Sequence, residues 1–305
     1  MDLPDTTSTP VVRALVSTAL PDISPRGLKF LRSADGIDTW TTADAVVVFP
    51  TAEEAAARLL TERALHGALR AKLGELVPEI VAASDPSDAF PFPANAYRKP
   101  RGRLGQAPEG PIIRPKPWAR ASLAKDLGAA LVALHSIPVR TARSAGVRPV
   151  EVLDEHWLDA DEAAIDRARA VAGDGVDAFL GAPLPTEART AGKPVVCHTR
   201  LTGEHLFVSE DGTRLTAIVD WIHLAIAEPA VDLGGLTVWL GPSFVRQVAA
   251  ESGAAPGTAE RGVYLGRADL LARLDAAGTT GVDRVLLDAQ LRAAFGPEEP
   301  VRRRR

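Results

Sequence analysis

The sequence contains little of what would place it in several specialised classes of protein. It has one cysteine, Cys197, which excludes an intrachain disulfide framework and is typical of a protein kept reduced in the cytoplasm. No apolar run approaches the roughly 20 residues that cross a bilayer. The opening residues MDLPDTTSTP lack the basic and apolar regions of a signal peptide. We therefore expect a cytoplasmic protein that has no membrane partner.

The composition is that of a soluble globular protein. Of the 305 residues, 46% are hydrophobic and 24% are charged, with a net charge of -4, which suits one large domain or two smaller ones. The four arginines of 302–305 are expected to form a disordered basic tail, and on their own they do not indicate a nucleic-acid partner. The many alanines, arginines, glycines and prolines are typical of a GC-rich bacterial genome.

The most informative stretch is 195–233, VVCHTRLTGEHLFVSEDGTRLTAIVDWIHLAIAEPAVDL. Apolar runs at 206–208 and 215–219 predict two strands, and the Asp-Gly pair between them predicts a hairpin turn because it tolerates positive φ. His198, Arg200 and His205 precede this hairpin, and Asp220 follows it. A ribbon with polar groups at both ends is typical of a phosphate and metal site. A thiol nucleophile at Cys197, next to His198, is the alternative to a small buried residue that ends a strand.

This stretch resembles the catalytic core of the aminoglycoside and macrolide phosphotransferase family, which has a protein-kinase-like fold. His198 matches the family's histidine, IVDW at 218–221 matches its metal-binding aspartate motif, and EPAVDL at 228–233 matches its last block. His205 stands where most members have asparagine. Macrolide phosphotransferases resemble this chain in having a histidine at that position. Arg200 occupies the position of the catalytic aspartate. The resemblance extends over most of the chain.

The resemblance implies a phosphotransfer site with three roles. A carboxylate accepts the proton of the attacking hydroxyl, Mg²⁺ on hard oxygen ligands neutralises the phosphates of ATP or GTP, and a further cation steadies the phosphates. Asp220 and His205 are the implied metal ligands, and the catalytic candidates are Arg200, His198 and Asp220. The first role is vacant because an arginine stays protonated and cannot act as a base. The cofactor is therefore Mg²⁺ with ATP or GTP, or there is none.

The implied nucleotide-binding residues depart from the family in the same way. Gly36 is the glycine of the phosphate loop, but aspartates on both sides repel phosphate, and a plain turn is the alternative. Val48 falls where the family has a strand lysine or arginine. Glu62 stands where a helix glutamate pairs with that cation, or else faces solvent. Tyr97 and Arg98 mark the hinge whose backbone binds a purine.

Two charged segments are candidates for binding the molecule that would be the substrate or partner beside the nucleotide. In the family, a helical insert contacts cationic antibiotics through carboxylates, and the matching acidic segment here contains Asp154, Glu155, Asp159 and Glu162. A solvated helix face explains the same composition. Residues 98–120 contain seven basic residues against one acidic residue, which indicates either a solvated loop or an anion site for phosphate or an acidic peptide.

We expect an α+β, two-lobed protein-kinase-like fold. A small β-rich N-lobe takes residues 1–97, and a larger, mainly helical C-lobe takes 98–305, including the core 195–233 and the tail 300–305. Thr51 and Glu54 predict a capping box at the start of the second helix. Apolar periodicity predicts strands and helices at the following places: strands at 28–31, 38–41 and 45–49, and helices at 11–20, 51–72, from 122 to the proline at 138, 258–276 and 281–295.

Three hypotheses about function follow, and they differ in whether the protein is an enzyme. The first is a pseudokinase, whose inter-lobe cleft recognises a small molecule, a peptide or a protein partner without transferring phosphate. By analogy alone, such a protein could serve in natural-product biosynthesis. The second is an ATP- or GTP-dependent small-molecule kinase with rearranged residues. The third is another reaction in the same cleft, such as a lyase. Arg200 would pair with Asp220 in place of the metal, or bind a phosphate, and His223 is either a base or a surface residue.

Overall fold

The computed structural model describes residues 4–106, 115–150, 162–182, 192–276 and 281–296. The chain divides into two compact units. Unit 1 comprises Met1–Arg101, Ser144–Gly146 and Ala217–His223, and unit 2 comprises Gly102–Arg143, Val147–Thr216 and Leu224–Arg305. The segment that contains Asp220 therefore belongs to unit 1. The domain limits expected from the sequence, 1–97 and 98–305, stay a prediction.

Unit 1 is built on a five-stranded antiparallel sheet with the strand order β1-β2-β3-β5-β4. The strands and helices expected before residue 73 are confirmed. The elements of unit 1 are the strands β1 (Lys29–Ala34), β2 (Ile37–Thr41), β3 (Ala45–Pro50), β4 (Ile80–Ser84) and β5 (Ala94–Arg98), and the helices α1 (Thr9–Ala19) and α2 (Glu53–Leu73).

The two faces of this sheet pack against different helices. Trp40, Val47 and Phe49 are buried in a core with Val12 and Val16 of α1. Because side chains alternate between the faces of a strand, the residues next to these point to the opposite face. Helix α2 contacts β3 and covers that second face.

The start of α2 differs from the expected capping box. The helix begins at Glu53, and its N-cap residue is Ala52, which makes no side-chain cap bond. Thr51 instead donates its backbone N–H to the Gly36 carbonyl at 2.7 Å. Glu54 lies 3.4 Å from Arg58, one turn further along the helix. The prediction is wrong because Thr51 is bound to the β1–β2 turn.

The rest of the chain is mainly helical and confirms the hairpin and the later helices expected from the sequence. Its strands form a three-stranded sheet in the order β6-β8-β9 and the pair β10-β7. The helices are α3 (Pro117–His135), α4 (Val139–Ser144), α5 (Glu162–Ala172), α6 (Asp174–Leu180), α7 (Ala230–Leu240), α8 (Pro242–Glu251), α9 (Thr258–Ala276) and α10 (Gly281–Phe295), and the strands are β6 (Arg103–Leu104), β7 (Val195–Cys197), β8 (Leu206–Val208), β9 (Leu215–Ile218) and β10 (Ala225–Ala227).

Small residues let α7 and α9 lie close together in unit 2. A Cβ placed on Gly266 would be 2.3 Å from the Gly234 carbonyl oxygen, so only glycine fits at this contact. The α+β class is confirmed by a small antiparallel sheet in one unit and the helices of the other. Within the described ranges, no helix has both the length and the apolar character needed to cross a membrane.

Candidate functional site

Asp220 lies in the turn that follows β9, in the part of the chain that belongs to unit 1. Trp221 Nε1 donates to the Ile218 carbonyl at 2.8 Å, and residues Trp221–His223 form a short 3₁₀ helix. The φ of Asp220 is 68°, a left-handed conformation that is uncommon for a residue other than glycine. The turn thus fixes the direction of the Asp220 side chain, which is 14% exposed.

An arginine of β1 that the motif analysis did not single out holds the Asp220 carboxylate. Arg32 Nη2 lies 3.1 Å from Asp220 Oδ2, in an ion pair whose arginine is 35% exposed. One of the two alternatives drawn from the sequence paired Arg200 with Asp220, and that pairing stays a prediction. Within unit 1, therefore, Arg32 neutralises the aspartate that the family resemblance assigns to the metal.

A bulge in β1 determines the face from which Arg32 projects. The register shifts between Phe30 and Arg32, which sets Arg32 opposite Thr39 of β2. Thr39 in turn lies opposite Val48 of β3. Residues directly opposite in neighbouring antiparallel strands project from the same face. Arg32 therefore extends from the face that carries Val48, the expected position of the strand cation.

Glu62 of α2 is buried beneath this face, at 3% exposed, so the solvent-facing alternative is wrong. It is hydrogen-bonded to Tyr97, whose hydroxyl accepts a hydrogen bond from Asn95 Nδ2 at 2.9 Å. Burial raises the pKa of Glu62 to about 8, and the Asp220 charge adds to this. Burial also raises the pKa of Tyr97 well above its usual value. No ion pair with Glu62 occurs within the described ranges, so its carboxyl is protonated at neutral pH.

The loop expected to cover the phosphates is a two-residue hairpin turn. Asp35 and Gly36 have φ values of 53° and 75°, between the paired ends of β1 and β2, as in a type I′ turn. Arg58 Nη2 donates to the Asp35 carbonyl at 2.7 Å, and His223 Nε2 lies 3.4 Å from Asp35 Oδ2. These contacts favour the plain-turn alternative, and Gly36 as a phosphate-binding residue stays a prediction.

The hinge candidates lie at the end of β5. Tyr97 is paired on both sides, with Val46 of β3 and Ile80 of β4. The Arg98 backbone N–H donates to the Glu79 carbonyl at 2.8 Å, and the Arg98 guanidinium lies 2.9 Å from the Glu79 carboxylate. The backbone groups expected to meet a purine therefore already take part in sheet bonds, and this role stays a prediction.

In unit 2, the loop of 198–205 is held by a buried aspartate. Asp232 is fully buried, and its Oδ1 accepts the Thr199 backbone N–H at 2.8 Å while its Oδ2 lies 2.9 Å from His135 Nε2. Thr199 has a φ of 69°, so this bond supports a backbone conformation that is uncommon for threonine. His135 of α3 thus contacts the same aspartate that holds the loop.

The two histidines of the loop contact the main chain of Arg200. His205 Nδ1 lies 2.7 Å from the Arg200 carbonyl, which can only accept, so Nδ1 carries the proton. The Arg200 backbone N–H donates to His198 Nδ1 at 3.3 Å. Both histidines are buried, whereas Arg200 is exposed. The loop is thus held through its backbone, and it presents the residue-200 side chain.

The burial of the single cysteine favours the structural alternative over a thiol nucleophile. Cys197 is fully buried, its thiol lies 3.5 Å from the Glu228 carbonyl, and burial raises its pKa well above the usual value. A thiol that stays protonated reacts poorly. Cys197, His135 and Asp232 bring one ligand atom each within 4.8 Å of one another, but Asp232 already holds the loop.

The substrate candidates are only partly within the described residues. Asp154, Glu155 and Asp159 lie outside them. Glu162 is the first residue of α5 and is exposed. The structure therefore leaves the antibiotic-binding role of this acidic segment a prediction.

The described donor groups do not fit a magnesium ion. Mg²⁺ requires hard oxygen ligands in near-octahedral geometry. In unit 1 the Asp220 carboxylate is bound by a guanidinium, and in unit 2 His205 offers a nitrogen, which suits transition metals better.

A small antiparallel-sheet unit, a helical unit and a hairpin followed by an aspartate-bearing turn define a protein-kinase-like fold. The chain belongs to the phosphotransferase enzyme family, whose family model matches residues 29–265. No match is found among curated proteins.

Solved structures of aminoglycoside and macrolide phosphotransferases share this fold. Aminoglycoside 2′-phosphotransferase-IIIa, in its GDP complex, is 25% identical with a TM-score of 0.70, over 94% of this chain and 100% of that chain. APH(2")-IIia, in complex with GDP and kanamycin, is 26% identical with a TM-score of 0.66, over 85% and 89%. Macrolide 2′-phosphotransferase MphH from Brachybacterium faecium, at 20% identity and a TM-score of 0.61 over 94% and 100%, shares the fold alone.

Proposed function

We propose that this protein binds a purine nucleotide and does not transfer its phosphate by the family's base-assisted reaction. The observation that carries the proposal is the exposure of Arg200, which stands where the family resemblance places the catalytic aspartate. The surrounding loop is fully assembled through Asp232 and His205, so the position is presented but carries the wrong group for a base. A guanidinium stays protonated and cannot accept the proton of a hydroxyl.

The same guanidinium suits a phosphate ligand. Arginine forms charge-assisted, bidentate hydrogen bonds with phosphate oxygens. GDP is bound in two of the relatives, at 25% and 26% identity, which supports a guanine or adenine nucleotide as the ligand here. Kanamycin, bound in one of them, supports a cationic small molecule as the second ligand. A peptide or protein partner and a place in a bacterial cytoplasm remain part of the proposal.

Binding is tested by isothermal titration of GDP and ADP, with EDTA present. We expect Arg200→Ala to weaken the affinity for the nucleotide at least tenfold, because it removes the guanidinium that meets the phosphates. Arg140→Ala, which removes an exposed arginine elsewhere in unit 2, is the matched control and should bind as the wild type does. Equal affinity of Arg200→Ala and wild type would overturn the role of Arg200.

Transfer is tested separately, by following GTP and ATP consumption with kanamycin or a macrolide as acceptor. The wild type should release no nucleoside diphosphate above the level without acceptor, with or without Mg²⁺. Acceptor-dependent turnover by the wild type that is lost in Asp220→Asn would contradict the proposal and favour an active kinase. Arg200→Asp restores a carboxylate, and any turnover it gains would locate the defect at residue 200.

A further inference from the structure

The ion pair between Arg32 and Asp220 assigns a specific role to a residue outside every motif of the family. We propose that Arg32 is an internal cation that occupies the Asp220 carboxylate in place of a metal ion and keeps divalent metal from this site. The contact that supports it is direct, with Arg32 Nη2 at 3.1 Å from Asp220 Oδ2.

The geometry of β1 makes this contact possible. The register shift before Arg32 sets it opposite Thr39, in the cross-strand row that continues to Val48. Val48 is apolar, so the position where the family resemblance places a strand cation supplies none to the carboxylate. A lysine in place of Val48 would have its backbone about 10 Å from that of Arg32, two strand spacings away. Both side chains are long enough to meet across that distance, so such a lysine could compete with Arg32 for the same carboxylate.

A second contact fastens the same hairpin to the same segment. Asp35, three residues after Arg32, lies 3.4 Å from His223, three residues after Asp220. Arg58 of α2 also donates to the Asp35 carbonyl at 2.7 Å. The β1–β2 hairpin is therefore held at its turn as well as at Arg32, and Arg32 is positioned by more than its own ion pair.

The Asp220 carboxylate is already in direct contact with one cation, because Arg32 lies 3.1 Å from it. The buried Glu62 beneath the sheet has a raised pKa, so at neutral pH it adds no further negative charge that would attract a metal. A divalent ion would have to displace the guanidinium or stand next to it, and like charges a few ångströms apart repel strongly in a partly buried site.

The consequence is a phosphate site with arginine in the position of the metal. Arginine presents five N–H donors in a planar arrangement, of which the bond to Asp220 Oδ2 uses one. The remaining donors are suited to phosphate oxygens. The site would then neutralise a phosphate with a fixed side chain, without recruiting an ion from solution.

The test uses Tb³⁺ as the probe, a hard trivalent ion that binds carboxylate oxygens and whose luminescence is excited through nearby tryptophan. Trp221 follows Asp220 directly in the chain. The wild type and Arg32→Gln are each titrated with Tb³⁺, and each titration is repeated on the same protein carrying Asp220→Asn. The Tb³⁺ binding that disappears with Asp220→Asn is the binding that requires Asp220. We expect Arg32→Gln to bind Tb³⁺ through Asp220 at least tenfold more tightly than the wild type, and Mg²⁺ to compete.

Two variants serve as matched controls. Lys29→Gln removes one positive charge from the exposed start of β1 and should behave as the wild type. Arg32→Lys keeps the charge and should also stay weak in Tb³⁺ binding. If Arg32→Gln loses the native circular dichroism spectrum, Arg32→Met takes its place, because it keeps an apolar stem at the position.

Two results would overturn the proposal. One is Asp220-dependent binding of equal strength in the wild type and in Arg32→Gln, since Arg32 would then not exclude the ion. The other is a folded Arg32→Gln that gains no Asp220-dependent binding. Neither result depends on nucleotide or on phosphate transfer, so failure here is distinct from failure of the proposed function.

Discussion

Replacing Glu62 by glutamine should make the stability of the protein less dependent on pH. Glu62 is 3% exposed and hydrogen-bonded to Tyr97. Glutamine has nearly the shape of the protonated carboxyl group and keeps a hydrogen-bonding group near the tyrosine. The substitution therefore removes the ionisation while leaving the packing of α2 largely unchanged.

The size and sign of the effect follow from the raised pKa. Burial moves the pKa of Glu62 from 4.5 to about 8, so the folded protein binds this proton more tightly than the unfolded chain does. The resulting contribution to stability is fully present below the unfolded pKa and is lost as pH rises toward 8. Since each pKa unit corresponds to about 1.4 kcal/mol, the wild type should lose roughly 3 to 4 kcal/mol of unfolding free energy relative to Glu62→Gln between pH 5 and pH 8.

The assay is urea unfolding at pH 5, 6, 7 and 8, followed by tryptophan fluorescence. Both proteins contain the same histidines, so titration of these groups cancels to a first approximation when the two free energies of unfolding are subtracted. Glu53→Gln, which removes an exposed carboxylate from the first turn of the same helix, is the control and should show the wild-type pH dependence. Parallel stability curves for wild type and Glu62→Gln would refute the buried, protonated carboxyl.

Three further predictions concern the packing of the chain. Gly266→Ala should destabilise the protein by about 1–3 kcal/mol, because the new Cβ would lie 2.3 Å from the Gly234 carbonyl oxygen. Gly67→Ala, whose new Cβ would have no atom within 4 Å, should stabilise the protein by roughly 0.5–1 kcal/mol. Urea unfolding measures both changes, and similar effects of the two substitutions would contradict the close contact between α7 and α9. Arg261→Leu leaves Glu228 buried without its bidentate partner and should cost about 3–5 kcal/mol, largely recovered when Glu228→Gln is added. The chain's single thiol, buried and with a raised pKa, should react with DTNB only upon unfolding, so rapid labelling of the native protein would contradict its burial.

Local pattern was sufficient to predict many of the individual strands and helices, whereas their two-lobed arrangement was implied by the family resemblance. The apolar run of β3 and the helical spacing of leucines in α2 and α3 are the local signals of these buried elements. The Asp-Gly turn between β8 and β9 follows from backbone sterics alone, since Gly212 has a φ of 72°. The capping box failed because a tertiary contact, from Thr51 to Gly36, competed with it.

The partners of the candidate site could not be read from the sequence. Arg32 is one of many arginines, and only the bulge in β1 aligns it with Thr39 and Val48. A bulge depends on strand pairing, so the local sequence does not locate it. The burial of Glu62 likewise depends on which side of α2 meets the sheet, and that in turn sets its pKa.

The loop around Arg200 is held in part by bonds that do not depend on the side chain at residue 200. Three of its described bonds use the Thr199 N–H, the Arg200 N–H and the Arg200 carbonyl. Because every residue type except proline offers these same main-chain groups, they do not require a particular side chain at residue 200. These main-chain bonds can therefore form with either a guanidinium or a carboxylate at residue 200. Arg200→Asp thus changes the group that the loop presents while leaving these bonds available, which is why it is the informative exchange.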